Sequence, residues 1–252
     1  MTLQNNHSNE ASEYSLHEIL WSDKKIDRLW GYYSGSEIYQ KEYFSYQAGK
    51  IVLNRIERAV NFKKSSAILD YGCGPGFLLE ALLGCTKPGQ KCYGLDFSRK
   101  SVELVEKKFA GIPNYGGTVW AENLPTRYQD EGMDLVISLE VVEHLDDEKL
   151  LSMVKEIHRI LKPRGYIVIT TPNRENLSKN KAICPECGAI FHRWQHVRTW
   201  TVSTLQCYME TCGFKTVQVQ ESNFASKHQR LVKYFLKIFP QKKTSLLYIG
   251  VK

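Results

Sequence analysis

A chain of 252 residues with 42% hydrophobic side chains fits one domain with appendages and carries enough apolar material for a core. It holds no apolar run long enough to cross a bilayer, and Met1 to Ser15 lack the apolar stretch of a secretion signal, so a spanning helix and an exported form are not expected. The net charge of +7 is a modest excess, and seven scattered cysteines fit no secreted disulfide framework, so a reducing, cytoplasmic compartment is expected.

Residues 1–15 are polar and are expected to be disordered. Residues 16–62 read as a helical cap. Trp21, Ile26, Leu29 and Trp30 open it, an aromatic stretch from Tyr32 to Tyr46 follows, and Ile51, Val52, Ile56 and Ala59 recur at helical spacing. Trp30, Tyr32, Tyr33, Tyr39, Tyr43 and Phe44 read as packing residues, with substrate contact as the alternative.

Residues 63–252 are organised around Ala67-Ile68-Leu69-Asp70-Tyr71-Gly72-Cys73-Gly74-Pro75-Gly76-Phe77. The apolar run Ala67 to Leu69 predicts a buried strand, the glycines a turn, and Phe77 to Leu83 a helix. Strand, glycine turn and helix bring bare backbone N–H groups to a nucleotide-like ligand. The pattern D-x-G-x-G-x-G departs from the dinucleotide G-x-G-x-x-G, because Phe77 stands three positions after Gly74. A second strand, Lys91 to Asp96, ends on an acid that can accept two hydrogen bonds from a ribose diol, and Phe97 can flank an adenine ring. The alternative for Asp96 is a helix N-cap, and for Phe97 a core position.

Further strands are predicted at Gly117 to Trp120, Met133 to Leu139 and Tyr166 to Thr171. A helix from Asp146 to Leu161 carries Leu150, Leu151, Val154, Ile157, Ile160 and Leu161 on one side and stops at Lys162-Pro163-Arg164-Gly165. Residues 174–200 break this rhythm as a Cys/His-rich insertion. Thr201 to Cys212 reads as a helix, and Phe214 to Gln220 with Leu246 to Val251 as a final antiparallel pair. Strands alternating with helices predict an α/β, doubly wound, mostly parallel sheet.

Glu140-Val141-Val142-Glu143-His144 follows the fourth strand. As a helical turn it would put Glu140, Glu143 and His144 on one face. Two carboxylates and an imidazole suit Mg²⁺ or Mn²⁺, and His144, oriented by Glu143, equally suits a general base. Cys184-Pro185-Glu186-Cys187, followed by His192 and His196, offers a competing tetrahedral zinc site, with a reduced loop or a redox pair as the alternatives. One His196 nitrogen cannot serve both sites. Apolar and basic residues interleave over 224–239, where three readings stand: a helix covering the sheet, a contact with the inner face of a membrane, or a contact with nucleic acid, the last disfavoured by the apolar circumference.

The glycine turn, Asp96, Leu161-Lys162-Pro163-Arg164-Gly165 and Thr171-Pro172-Asn173 together resemble the class I S-adenosylmethionine (SAM) methyltransferases, nearest the ubiquinone-biosynthesis O-methyltransferases. The resemblance implies a seven-stranded Rossmann-like sheet with an antiparallel last strand. It implies SAM contacts at Asp70, Gly72, Gly74, Gly76, Asp96, Phe97, Glu122 and Glu140, with Glu122 standing near the position that meets adenine. E-x-x-E-H with a later His before an aromatic residue and Thr resembles the metal centre of the small-RNA 3′-terminal 2′-O-methyltransferases, which adds His196 to Glu140, Glu143 and His144. The expected activity is methyl transfer to a hydroxyl of a small or lipid- or carrier-linked metabolite, quinone-like or sugar, with Glu143 and His144 catalytic. The alternatives are an RNA-terminal 2′-O-methyltransferase and a SAM-binding regulatory subunit without turnover.

Overall fold

The computed structural model describes residues 14–224 and 244–252. The expectations for residues 1–13, and for 224–239 beyond Phe224, fall outside them. In chain order the elements are β1 (His17–Glu18), α1 (Asp23–Gly35), α2 (Glu37–Gln40), α3 (Phe44–Val60), β2 (Ala67–Tyr71), α4 (Phe77–Leu83), β3 (Lys91–Asp96), α5 (Arg99–Phe109) and β4 (Tyr115–Trp120). Then come β5 (Met133–Leu139), α6 (Asp147–Ile160), β6 (Leu161–Pro172), β7 (Lys181–Ile183), β8 (Ala189–His192), α7 (Val202–Thr211), β9 (Lys215–Ser222) and β10 (Ser245–Val251).

Seven strands form one sheet in the order β4-β3-β2-β5-β6-β10-β9. Only β10 runs against its neighbours, pairing antiparallel with both β6 and β9. The chain winds outward from β2 through β3 to β4, then returns to the other side of β2 with β5 and β6. Strand order therefore reverses between β2 and β5, and the carboxyl ends of such strands form the crevice where α/β proteins bind ligands. The register Asp70↔Gly94 and Asp70↔Ile137 ends β2 beside both neighbours, so the glycine turn and residues 140–144 emerge side by side.

Sequence and packing agree closely along α6. Asp146 caps it by accepting from Lys149 N, and Asp147 and Glu148 lie in its first turn, where acids favour the helix dipole. Leu150, Met153, Val154, Ile157 and Ile160 are buried at helical spacing, whereas Leu151 is 40% exposed. Leu151 sits one residue beyond the buried stripe, about 100° around the helix from Leu150, and Met153 fills the face instead.

The segment after Asn173 builds its own small sheet, β1-β8-β7, in which β8 pairs parallel with β1 and antiparallel with β7. A parallel bridge between Asn173 and Trp200 closes the base of this excursion. Upstream, α1 packs on α5 and α3 on α4, and Tyr43, which precedes α3, reaches the glycine turn at Gly74.

Candidate active site

The glycine turn is held by backbone hydrogen bonds from Gly72 N (2.8 Å) and Cys73 N (2.9 Å) to Leu95 O. Gly72, Gly74 and Gly76 all take positive φ, the conformation that costs residues with a Cβ most. Each also meets a close neighbour. A Cβ on Gly72 would lie 2.4 Å from Val141 Cγ2, one on Gly74 2.8 Å from Tyr43 Cε1, and one on Gly76 2.9 Å from Phe109 Cε2. Gly76 thus permits close helix packing, and the Tyr43 ring covers Gly74. The Tyr43 hydroxyl is anchored through Ser34 Oγ (2.8 Å), which in turn meets Ser101 Oγ (2.8 Å).

Asp96 faces this turn from the end of β3. Its Oδ2 accepts from Gly74 N at 2.7 Å and its Oδ1 from Ser98 N at 2.8 Å. Ser98, not Asp96, caps α5 by accepting from Ser101 N. The cap role thus falls to the neighbour, and the Asp96 carboxylate keeps lone pairs for a diol. Phe97 packs beside Tyr71 at 6.2 Å, its carbonyl accepting from Trp120 Nε1. Glu122 is exposed. Asp70 is buried with Oδ2 unpartnered, and burial pushes its carboxyl up to about 8. Burial likewise pushes Asp96 up to about 6, against the hydrogen bonds from Ser98 and Gly74. Diol donors favour the ionised form, so affinity for a ribose ligand should fall as pH drops through 6. Calorimetry should find SAM bound about tenfold more weakly at pH 5 than at pH 7.5, a dependence that Asp96→Asn removes.

Residues 140–144 are not a helical turn. Glu140 takes a left-handed φ of 54°, and His144 N donates to Val141 O at 3.0 Å, closing a tight turn. The reversal leaves Glu140 outside the close group of Glu143, His144 and His196, although its carboxyl lies near enough to Glu143 to raise that carboxyl further. Its carboxyl is buried, with Oε1 unpartnered, and burial pushes it up to about 8. The excursion's return leg docks on this turn. Val197 N donates to Glu143 O (2.9 Å), Gln195 Nε2 to His144 O (2.7 Å) and Trp30 Nε1 to Gln195 Oε1 (3.1 Å). His196 is thereby laid against His144, ring centroids 4.8 Å apart.

Ligand-bearing atoms of Glu143, His144 and His196 all lie within 4.8 Å of one another. In each of these side chains one polar atom is occupied, and the occupied His144 Nε2 also lies 3.9 Å from Glu143 Oε1. Thr171 Oγ1 donates to Glu143 Oε2 at 2.9 Å, leaving Oε1 without a partner. His144 Nε2 donates to Glu140 O at 3.1 Å, leaving the buried Nδ1 lone pair unused. Burial, with His196 adjacent, pushes the His144 imidazole down to about 3, so it is neutral. His196 Nδ1 donates to Glu175 Oε2, leaving its Nε2 lone pair.

Glu175, His192 and His196 form a second close group. Tautomers decide its role. His196 N donates to His192 Nδ1 at 3.1 Å, so a neutral His192 carries its proton on Nε2, which faces Glu175 Oε1 at 3.6 Å. His192 has no lone pair to give a metal in this arrangement. Burial of Glu175 opposes ionisation, but the His196 hydrogen bond prevails and its carboxyl lies below the usual range. Glu175 and His192 therefore orient His196 rather than add a site. Were the Glu143–His144–His196 group to hold Mn²⁺, Glu175→Ala would weaken that binding by about 10–100-fold, measured by calorimetry, with SAM affinity unchanged.

The competing set Cys184, Cys187, His192 and His196 is not brought together: neither close group among the described residues contains a cysteine. The hairpin keeps them apart. His192 pairs with Lys181 at the base of the hairpin, and Cys184 lies three residues further along, about 10 Å away at the tip. Glu140 is likewise outside the group that holds Glu143, His144 and His196. Glu175, Thr171 and Gln195 had no signal in sequence spacing.

Sheet order, glycine turn and the acid ending β3 define the class: a Rossmann-like, class I SAM-dependent methyltransferase, with SAM as its cofactor. A family model described as a methyltransferase domain matches residues 40–219, and the chain belongs to that family. It is 24% identical over 230 residues to demethylmenaquinone methyltransferase of Staphylococcus aureus (strain JH9), covering 84% of this chain and 90% of that one. A Mycolicibacterium smegmatis protein named "Probable S-adenosylmethionine-dependent methyltransferase" is 27% identical over 148 residues, covering 59% of this chain; the match spans about half (51%) of that protein. Among solved structures, a SAM-dependent methyltransferase from Aquifex aeolicus aligns with TM-score 0.58 at 17% identity, over 92% of this chain and 99% of that one. The 1,6-didemethyltoxoflavin-N1-methyltransferase of Burkholderia thailandensis, solved with 1,6-didemethyltoxoflavin and S-adenosylhomocysteine, aligns with TM-score 0.57 at 14% identity, over 94% and 93% of the two chains. No helix among the described residues is long and apolar enough to cross a membrane.

Proposed function

We propose that this enzyme transfers the SAM methyl group to a hydroxyl of a small or carrier-linked metabolite, with a flat, quinone-like phenol favoured over a sugar. The observation that carries the reading is the convergence of ligand atoms of Glu143, His144 and His196 at the sheet's reversal point, with His144 Nε2 3.9 Å from Glu143 Oε1. Methyl transfer from a sulfonium needs chiefly proximity and alignment, but a hydroxyl nucleophile also needs help losing its proton. One carboxylate oxygen and two imidazoles fit a divalent cation, with the two imidazoles favouring Mn²⁺ or Zn²⁺ over Mg²⁺. Such a cation lowers a hydroxyl's pKa and orients it. Glu143, His144 and His196 would hold it, while Thr171 and Glu175 fix the first and last of these.

The aromatic surroundings support a planar acceptor. Trp30 lies edge-on to His144 at 4.8 Å, Tyr33 stacks on Tyr39 at 4.6 Å, and Trp194 meets Tyr33 at 5.3 Å. The test is S-adenosylhomocysteine release with naphthoquinols, catechols, sugar nucleotides and a short RNA, each with and without Mn²⁺ or Zn²⁺. Cation-dependent turnover with a quinol or catechol, labelled methyl on oxygen, is the expected result. Methylation of the RNA terminus alone would replace this reading with the nucleic-acid one. SAM binding without turnover on any acceptor would point to a regulatory subunit.

A further inference from the structure

The tip of the β7–β8 hairpin carries a second set of metal-type side chains that the methyl-transfer site does not use. Cys184 N donates to Ala189 O at 2.8 Å and Gly188 N to Cys184 O at 2.9 Å, closing a tight turn over Cys184–Gly188. Gly188 sits at φ +79°, and a Cβ there would lie 2.3 Å from Ser15 O, so the turn admits only glycine. Backbone N–H groups of Cys187 and Glu186, together with the Cys187 thiol, hydrogen-bond the Cys184 sulfur and hold its thiol below the ordinary value. Both cysteines are free and partly exposed. Two sulfurs on one turn, with N–H groups directed at one of them, form half of a tetrahedral zinc site.

The other half is not supplied by this chain's described residues, where no further Cys, His, Asp or Glu completes a group of three with these sulfurs. The turn lies at the surface, bordered by exposed apolar side chains: Leu16 at 65%, Tyr14 at 55% and Ile183 at 48%. The strap carrying Tyr14 and Leu16 is fixed to the turn itself, through Ser15 N to Cys187 O (3.4 Å) and His17 N to Gly188 O (3.2 Å). An apolar rim around a metal site that the described residues leave incomplete is what a second copy of the same surface would cover, with a twofold axis through the ion. We propose that two copies of this chain share one zinc ion through Cys184 and Cys187 of each. The pairing is independent of the methyl acceptor and of the Glu143–His144–His196 group, which lies beyond the opposite end of the hairpin.

The test uses untagged full-length protein purified under reducing conditions, in a His144→Ala, His196→Ala background so that only the thiolate site retains metal. One zinc per two chains, a dimer by sedimentation, and monomer on chelation with dimer restored by zinc are expected. Cobalt substitution should give the intense charge-transfer absorption of four thiolates. In the otherwise native chain, Cys184→Ser and Cys187→Ser should abolish dimerisation and lower the zinc-dependent melting temperature while leaving SAM affinity unchanged. One zinc per monomeric chain would overturn the proposal, as would no retained zinc. A dimer that survives both chelation and Cys184→Ser would also overturn it.

Discussion

Asp96→Ala should weaken SAM binding by about 100-fold or more while the protein still folds. A carboxylate accepting from both hydroxyls of a ribose makes two charge-assisted hydrogen bonds, each worth about 1.5–3 kcal/mol. The same carboxylate also holds Gly74 N and Ser98 N, so its removal loosens the turn that lies under the ligand. Calorimetric titration reads the affinity, and circular dichroism with a thermal melt checks the fold. Asp96→Asn keeps the side chain's size and loses the charge, so its affinity should fall between the two. An affinity within threefold of the native protein in both variants would remove Asp96 from the cofactor site.

The second large effect is expected at His144. Its Nε2 donates to Glu140 O and lies 3.9 Å from Glu143 Oε1, and its ring meets that of His196 at 4.8 Å. His144→Ala removes one of three converging side chains and leaves a void against the Trp30 ring. Turnover should drop about 10²–10⁴-fold, the range for losing an acid–base or metal-held group. SAM affinity should stay within about twofold, because Asp96 ends β3, on the far side of β2 from the strand that carries His144. Single-turnover release of S-adenosylhomocysteine separates the two effects. Unchanged turnover would reject any catalytic part for His144. Glu140→Gln should cost less, because that carboxyl lies outside the converging group and burial already favours its neutral form.

What the sequence revealed and what it hid follow the range of the interactions. Ala67 to Phe77 is legible because strand, positive-φ turn and helix succeed one another within a few residues, so local chemistry alone specifies them. Asp96 is legible because it is the last residue of a strand that must lie beside β2. Helix α6 shows its stripe through spacing, and only Leu151 was placed on the wrong face. The E-x-x-E-H segment is misjudged as helical because nothing local announces that Glu140 turns left-handed; its N–H is taken by Thr170 O on the adjacent strand. Glu175 is silent for the same reason, since its value comes from a contact with His196 that only the folded excursion creates. The cysteines and histidines of that excursion look close in sequence, yet the hairpin places them at opposite ends. Glycine also proved ambiguous. The sequence predicts ligand approach at all three glycines, whereas Val141, Tyr43 and Phe109 fill the space that a Cβ would take.

Tyr43 makes the central claim directly measurable, because its ring lies on the Gly74 backbone that a SAM amino-acid moiety would approach. A crystal structure with S-adenosylhomocysteine is the sharpest test. The ribose should lie on Asp96, the amino-acid part along Gly72 to Gly76, and the Tyr43 ring should be displaced from Gly74. A nucleoside bound elsewhere, with Tyr43 still seated on Gly74 and Asp96 untouched, would contradict the account.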